Sequence, residues 1–321
     1  MAMLYPWQQS SWQQFASLKQ QQRIPHAILL TGVNGLGKNT FSQQITKSIL
    51  CLSPRESQLA CGQCHSCHVF DAGSHPDHIE IKPEETGKQI KIEQIRQLIE
   101  KQQLTPTVSK WKTVVISPAY SMNVNANNSL LKLLEEPQPN TLFVLITSKP
   151  EQTPITVKSR CQTFHLPAPP FSEALAWLVA NSAYNADETT TNILKLAKGA
   201  PLAAIEMLDQ QGAESYQQIE QDFNTMLTAY ISPIELAANW QKYNLSQLMN
   251  QLQYSLQDRI VNNQLAIDKS PSLEHQNKRY WQIMDCIVDT TKLLSSPNNI
   301  NKTLLIEDFI VSVMRLSDNA Q

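Results

Sequence analysis

Along the first half of the chain, short apolar runs alternate with longer stretches of helical period. His26-Ala27-Ile28-Leu29-Leu30-Thr31 is an apolar run that stops at Gly32, and a helix-like pattern begins at Lys38 and continues to about Leu50. Four further runs have the length of strands: His78 to Lys82, Thr113 to Ile116, Leu142 to Thr147 and Gln162 to Leu166. Helical stretches lie between them, from Ile92 to Gln103 and from Asn125 to Glu136, where Pro137 forbids another turn. In the second of these, Leu130, Leu131, Leu133 and Leu134 are expected to pack on a sheet. Strands alternating with helices imply a mostly parallel sheet covered on both faces, so the expected class of residues 1–166 is α/β.

The pattern changes at Leu166-Pro167-Ala168-Pro169-Pro170, where the prolines end the last strand and helical period takes over. Residues 167–208 read as a small helical unit with a turn at Gly199-Ala200-Pro201. Residues 209–321 read as amphipathic helices rich in Gln, Asn and Leu, broken at Pro233, Pro271 and Pro297. A chain of 321 residues exceeds the usual single domain, which agrees with three parts.

Composition narrows the function classes. Hydrophobic residues make up 41%, charged residues 17%, and the formal net charge is -2. That balance argues against a basic nucleic-acid-binding surface, which needs clustered Lys and Arg. The opening MAMLYPWQQSSWQQF has neither a basic nor an apolar targeting segment, and no later stretch has the apolar length of a membrane span. The expectation is a cytoplasmic protein without membrane contact.

Gly32-Val33-Asn34-Gly35-Leu36-Gly37-Lys38 matches seven positions of the phosphate loop, set between a strand and a helix as that loop requires. Backbone N–H groups and the helix N-terminus make such a turn a cradle for phosphate, with Gly32, Gly35, Gly37 and Lys38 as binding candidates. The next position should be Ser or Thr to help hold Mg²⁺, but it is Asn39. Thr40 is displaced from it by about 100° of helix rotation. The strand Thr113 to Ile116 runs into Ser117-Pro118-Ala119, so the acids that should grip the metal and position water are absent there. ATP or ADP binding is therefore doubtful and hydrolysis by this chain is not expected. The competing account of the loop is a tight strand-to-helix turn whose glycines serve backbone geometry.

Of six cysteines, four fall in Cys51-x₉-Cys61-x₂-Cys64-x₂-Cys67, which suits a metal better than a disulfide framework. Four thiolates would close a tetrahedral structural zinc site. His65, His68 and His75 are possible replacements for one thiol, an iron–sulfur cluster is a rival, and reduced free thiols are the plain alternative.

Taken together, Tyr5-Pro6-Trp7, the degenerate phosphate loop, the cysteine cluster, Gly73-Ser74-His75-Pro76-Asp77, Asn128 to Pro137 and Ser159-Arg160-Cys161 resemble the delta-prime family of bacterial DNA polymerase III clamp loaders. The likeness is dense to about residue 165, thinner through the small helical part, and returns near Asn301 to Asp308. It implies an AAA+ architecture: a RecA-like first domain with an inserted zinc module at about 51–67, a helical lid, and an all-α collar that joins subunits in a ring. It further implies that Arg160, within Ser159-Arg160-Cys161, is an arginine finger reaching ATP on a neighbouring subunit. A lone Arg at such a place would otherwise read as a surface ion pair. Hydrolysing relatives carry an arginine in the lid turn, which Gly199-Ala200-Pro201-Leu202-Ala203-Ala204 lacks.

The implied partners are clamp-loader ATPase subunits and the delta subunit, with the sliding clamp and primed DNA reached through the assembly. The chain would then belong to a DNA-directed DNA polymerase holoenzyme while hydrolysing nothing itself. Two other readings stand beside this one. One is an active clamp-loader ATPase using Thr40 with Glu135 or Glu136; the other is a zinc-dependent nucleic-acid-binding module.

Overall fold

The computed structural model describes residues 4–85, 87–102, 105–228, 231–266, 272–294 and 301–318. The chain divides into two compact units, Met1–Leu178 with Ala197–Ala203, and Val179–Leu196 with Ala204–Gln321.

The first unit is built on five strands: β1 (Ala27–Thr31), β2 (His78–Ile81), β3 (Lys112–Ile116), β4 (Thr141–Thr147) and β5 (Gln162–His165). They form one parallel sheet in the order β2-β3-β4-β1-β5, with Leu29 beside Leu145 and Val114 beside Phe143. This is a RecA-like parallel sheet, and its central strands are buried along their whole length because both faces are covered.

Alternation along the strands sorts the core into two layers. Ile28, Leu30, Val144 and Ile146 join Trp12 and Phe15 of α1 (Gln9–Gln20) and Phe41 and Ile45 of α2 (Lys38–Leu50). Ala27, Leu29, Phe143 and Leu145 face the other way. They meet Ile95 and Leu98 of α4 (Ile92–Gln102) and Leu130 and Leu134 of α5 (Val124–Glu135). A short helix, α3 (His65–Asp71), precedes β2 and carries the last cysteine of the cluster.

Helix α2 has the bounds its pattern predicts, and the strands agree to within a residue at their ends. Asn123 sets the start of α5 by accepting a hydrogen bond from the Ala126 N–H at 2.8 Å, and Pro137 follows its end. The four leucines of α5 all meet the core, to different depths. Leu130 and Leu134 are fully buried, whereas Leu131 and Leu133 only flank the core, because residues four apart share a helix face and their neighbours do not. Gln103, Pro271 and Pro297, expected at element ends, lie outside the described residues.

The joint Gly73-Ser74-His75-Pro76-Asp77 has a structural task. The buried Asp77 carboxylate accepts the N–H groups of Thr107, Val108 and Ser109 at 2.6, 2.8 and 2.7 Å, which folds the approach to β3 around it. Burial works to raise its pKa, but the three donors win and hold it below the usual carboxylate range.

The second unit is helical. It packs residues of α9 (Pro201–Thr228), α10 (Pro233–Trp240), α11 (Leu245–Ala266), α12 (Ser272–Leu294) and α13 (Lys302–Asp318) around Phe223, Trp240, Leu252, Ile287 and Phe309. Helix α9 runs on through Asp209 and is interrupted at Gly212, whose φ of 71° and ψ of 152° leave the helical region. Among the described residues no helix is long and apolar enough to cross a membrane.

Replacing Asp77 by Ala leaves three main-chain donors without a partner, and urea unfolding is expected to show a loss of about 3 kcal/mol. Burial drops the His78 pKa to about 4, so the native ring refuses a proton that the unfolded chain takes up near pH 6.5. Stability should therefore fall as pH drops through that window, by up to ~1.4 kcal/mol per pH unit, and His78→Gln should flatten the slope.

Candidate functional site

The turn from β1 into α2 runs through Gly35 at φ 79° and Gly37 at φ 74°, left-handed values that disfavour a side chain. Space is as restrictive as backbone: a Cβ on Gly35 would fall 2.3 Å from the Ala203 nitrogen, and one on Gly37 would fall 2.5 Å from the Tyr5 ring. Lys38 turns back into the loop. Its ammonium donates to the Gly32 carbonyl at 2.9 Å and the Val33 carbonyl at 2.7 Å, and burial brings its pKa down to about 8.

Side chains from the N-terminal segment close over the same turn. Trp7 Nε1 donates to the Leu36 carbonyl at 3.0 Å, and Gln8 Nε2 donates to the Leu36 and Gly37 carbonyls at 2.9 and 3.0 Å. The Tyr5 and Trp7 rings stack at 4.9 Å, and Trp177 of α7 (Phe171–Asn181) meets both edge-on. The pattern Tyr5-Pro6-Trp7 was visible in the sequence, but nothing local told that it packs on the loop.

Beside the loop lies a cavity of about 410 Å³ whose wall includes Lys38, Asn39, Thr40, Ser117, Tyr120 and Ser148. Ser117 Oγ donates to Asn39 Oδ1 at 3.0 Å across it. Thr40 does reach the wall, so its one-residue displacement does not carry it away from the space. Neither Glu135 nor Glu136 lines that cavity.

Cys51, Cys61, Cys64 and Cys67 come together, with all four sulfurs within 4.8 Å of one another. Cys51 and Cys61 are 3.6 Å apart, Cys51 and Cys64 3.9 Å, and Cys61 and Cys67 3.9 Å. Four sulfurs placed ~2.3 Å from a tetrahedral centre are separated by about 3.8 Å, so the arrangement fits a single metal ion. Sulfurs in mutual contact leave no room for several irons between them. Main-chain N–H groups point at the sulfurs: the Gln63 donor, followed by that of Cys64, draws the Cys61 thiol down to about 6, while burial pushes Cys67 up.

The histidines considered as ligands stay out of the cluster. His75 Nδ1 accepts the Asp77 N–H at 3.1 Å, which leaves Nε2 to donate to Ser66 Oγ at 3.0 Å; that hydroxyl donates to the Leu50 carbonyl at 2.7 Å. Leu50 and Ser66 each precede a clustered cysteine, so one buried ring ties both halves of the module to the start of β2.

Arg160 follows α6 (Ile155–Lys158). Its guanidinium donates to Glu135 Oε1 at 2.5 Å and to the Thr156 carbonyl at 2.9 Å, with about a third of the side chain, 34%, exposed. The neighbouring Cys161 thiol is pushed up to about 12 by burial, and so is a packed group and not a reactive one.

A family model described as DNA polymerase III, delta subunit matches residues 7–170. The DNA polymerase III subunit delta-prime of Pseudomonas aeruginosa is 32% identical over 324 residues, covering 97% of this chain and 97% of that one. This chain belongs to the delta-prime family. The delta-prime subunit of Haemophilus influenzae is 32% identical over 285 residues, covering 89% of this chain and 85% of its own. A tau/gamma subunit from the same organism is 30% identical over 202 residues, covering 61% of this chain but 29% of its own. Delta-prime proteins are clamp-loader subunits of DNA replication, and that is the functional class of this chain.

Elemental analysis of this delta-prime chain should return about one metal ion per chain, and Cys64→Ser should lose it, since three thiols leave the tetrahedron open.

Proposed function

We propose that this chain is a non-hydrolysing stator of the clamp loader, which helps place the sliding clamp on primed DNA and lends Arg160 to an adjacent ATPase subunit. The observation that carries the silent half of this reading is the hydrogen bond from Ser117 to Asn39, 3.0 Å. In hydrolysing P-loop proteins those two places offer a hydroxyl and a carboxylate to Mg²⁺. Here a hydroxyl and an amide satisfy each other, and neither brings the negative charge that a divalent cation needs. The inward turn of Lys38 and the packing of Tyr5 and Trp7 on the loop support the same conclusion.

The active-ATPase reading loses its acids. Glu135 is engaged by Arg160, and neither it nor Glu136 faces the loop cavity. Arg160 itself is suited to act in trans, because a guanidinium held by a carboxylate and a carbonyl is already oriented while part of it stays in solvent.

Zinc is the metal that best matches four clustered thiols with no open position, and its role would be structural. A nucleic-acid reader is disfavoured by the net charge of -2. Residues 167–208 would form the lid and residues 209–321 the ring-joining collar. Exposed large apolar side chains in the latter, Ile234 at 73%, Leu265 at 80% and Trp281 at 55%, suit burial against the ATPase and delta subunits of a cytoplasmic assembly.

In a loader reconstituted with Arg160→Ala, DNA-stimulated ATP turnover at the site this arginine serves should fall by roughly 10³-fold. Unchanged turnover would sink the stator reading. The isolated wild-type chain should show no turnover above that of Lys38→Ala; a clear difference would establish the enzyme instead. Zinc should account for the bound metal, with iron in its place refuting that assignment.

A further inference from the structure

Helix α1 lies along the loop that connects Cys51 to Cys61. Trp12 Nε1 donates to the Ser57 carbonyl at 3.1 Å. Lys19 Nζ donates to the Ser48 carbonyl and to the Ser48 hydroxyl, each at 2.7 Å, and reaches the Gln58 carbonyl at 3.4 Å. The same hydroxyl donates to the Gln58 carbonyl at 2.5 Å. Gln58 has a φ of 62°, a left-handed value at a residue that is not glycine, so the reversal of the loop is held by these contacts.

Among the described residues, the charge on Lys19 has no carboxylate to match it. Nearby Lys47 grips both Asp71 oxygens, at 2.5 and 2.7 Å, and is neutralised there. Lys19 is half-buried, forms no ion pair with a carboxylate among the described residues, and touches only neutral oxygens. Burial lowers its pKa to about 8. Four thiolates around a divalent ion carry excess negative charge, and a cation held against their loop offsets it.

We propose that Lys19 is a positioning residue for the metal centre: its ammonium, held by Ser48 and Gln58 beside the Cys51 to Cys61 loop, balances the charge of the thiolate cluster. This role rests on the reading that the four cysteines hold a metal. Partners one layer out from the ligands are typically worth 10–100-fold in metal affinity.

The test uses the full chain loaded with Co²⁺, recording the thiolate-to-cobalt absorption band and the affinity by competition with a chelator. Lys19→Met keeps the aliphatic stem and removes the charge, and is expected to weaken binding by about tenfold or more. Lys19→Arg should restore affinity to within about threefold, and so should Ser48→Ala, which removes one hydrogen bond and leaves the charge. Should Lys19→Met fail to fold, Lys19→Gln serves the same comparison. Wild-type affinity in the uncharged variant overturns the proposal. An equal loss in Ser48→Ala also overturns it, because the effect would then belong to the loop hydrogen bonds alone. A wild-type chain that shows no thiolate-to-cobalt band refutes the metal centre itself, and Lys19's role with it.

Discussion

A buried ammonium must find oxygen partners or give up its proton, and the Lys38 ammonium finds them in the carbonyls of its own turn. The N-terminal unit is arranged around that requirement. With Lys38 folded inward, the strand-to-helix connection is braced from inside, and its outer carbonyls at Leu36 and Gly37 are left for Trp7 and Gln8. The start of the chain is thereby fastened to the sheet, and the aromatic cluster of Tyr5, Trp7 and Trp177 assembles on it. To meet an anion from outside, the ammonium would have to abandon the Gly32 and Val33 carbonyls. In this structure the lysine of the loop acts as an internal cross-link.

Much of the sheet was legible from apolar runs because a parallel strand buried on both faces leaves an uninterrupted signature, as β1 and β4 do. Helix α1 gave no such signal. Its composition is dominated by glutamine and serine, and only Ser11, Trp12 and Phe15 are buried along it. The cysteines could be grouped by spacing, yet the choice among neighbouring histidines could not be made that way, since His75 is excluded by hydrogen bonds on both ring nitrogens. Pairings such as Asn39 with Ser117 or Arg160 with Glu135 join residues far apart in the chain, and no local pattern encodes them. The break in α9 at Gly212 likewise follows from backbone freedom at one glycine, where the helical period on either side continues.

Three charged side chains of the first unit share a design in which charge is settled within the chain. Asp77 is satisfied by amides, Lys38 by carbonyls, and Arg160 by one carboxylate and one carbonyl. Of these, only the guanidinium keeps a portion in water, so it alone can exchange partners at modest cost.

The outer strands of the sheet, β2 and β5, are each four residues long, and β5 exposes Gln162, Thr163 and His165 while β2 exposes Glu80. The long apolar strand β4 is kept between neighbours on either side. Short, hydrophilic margins give a foreign strand little to zip onto, so the sheet's exposed main-chain groups are poor templates for fibril growth or domain exchange. The sheet is thus guarded against self-adhesion at its margins.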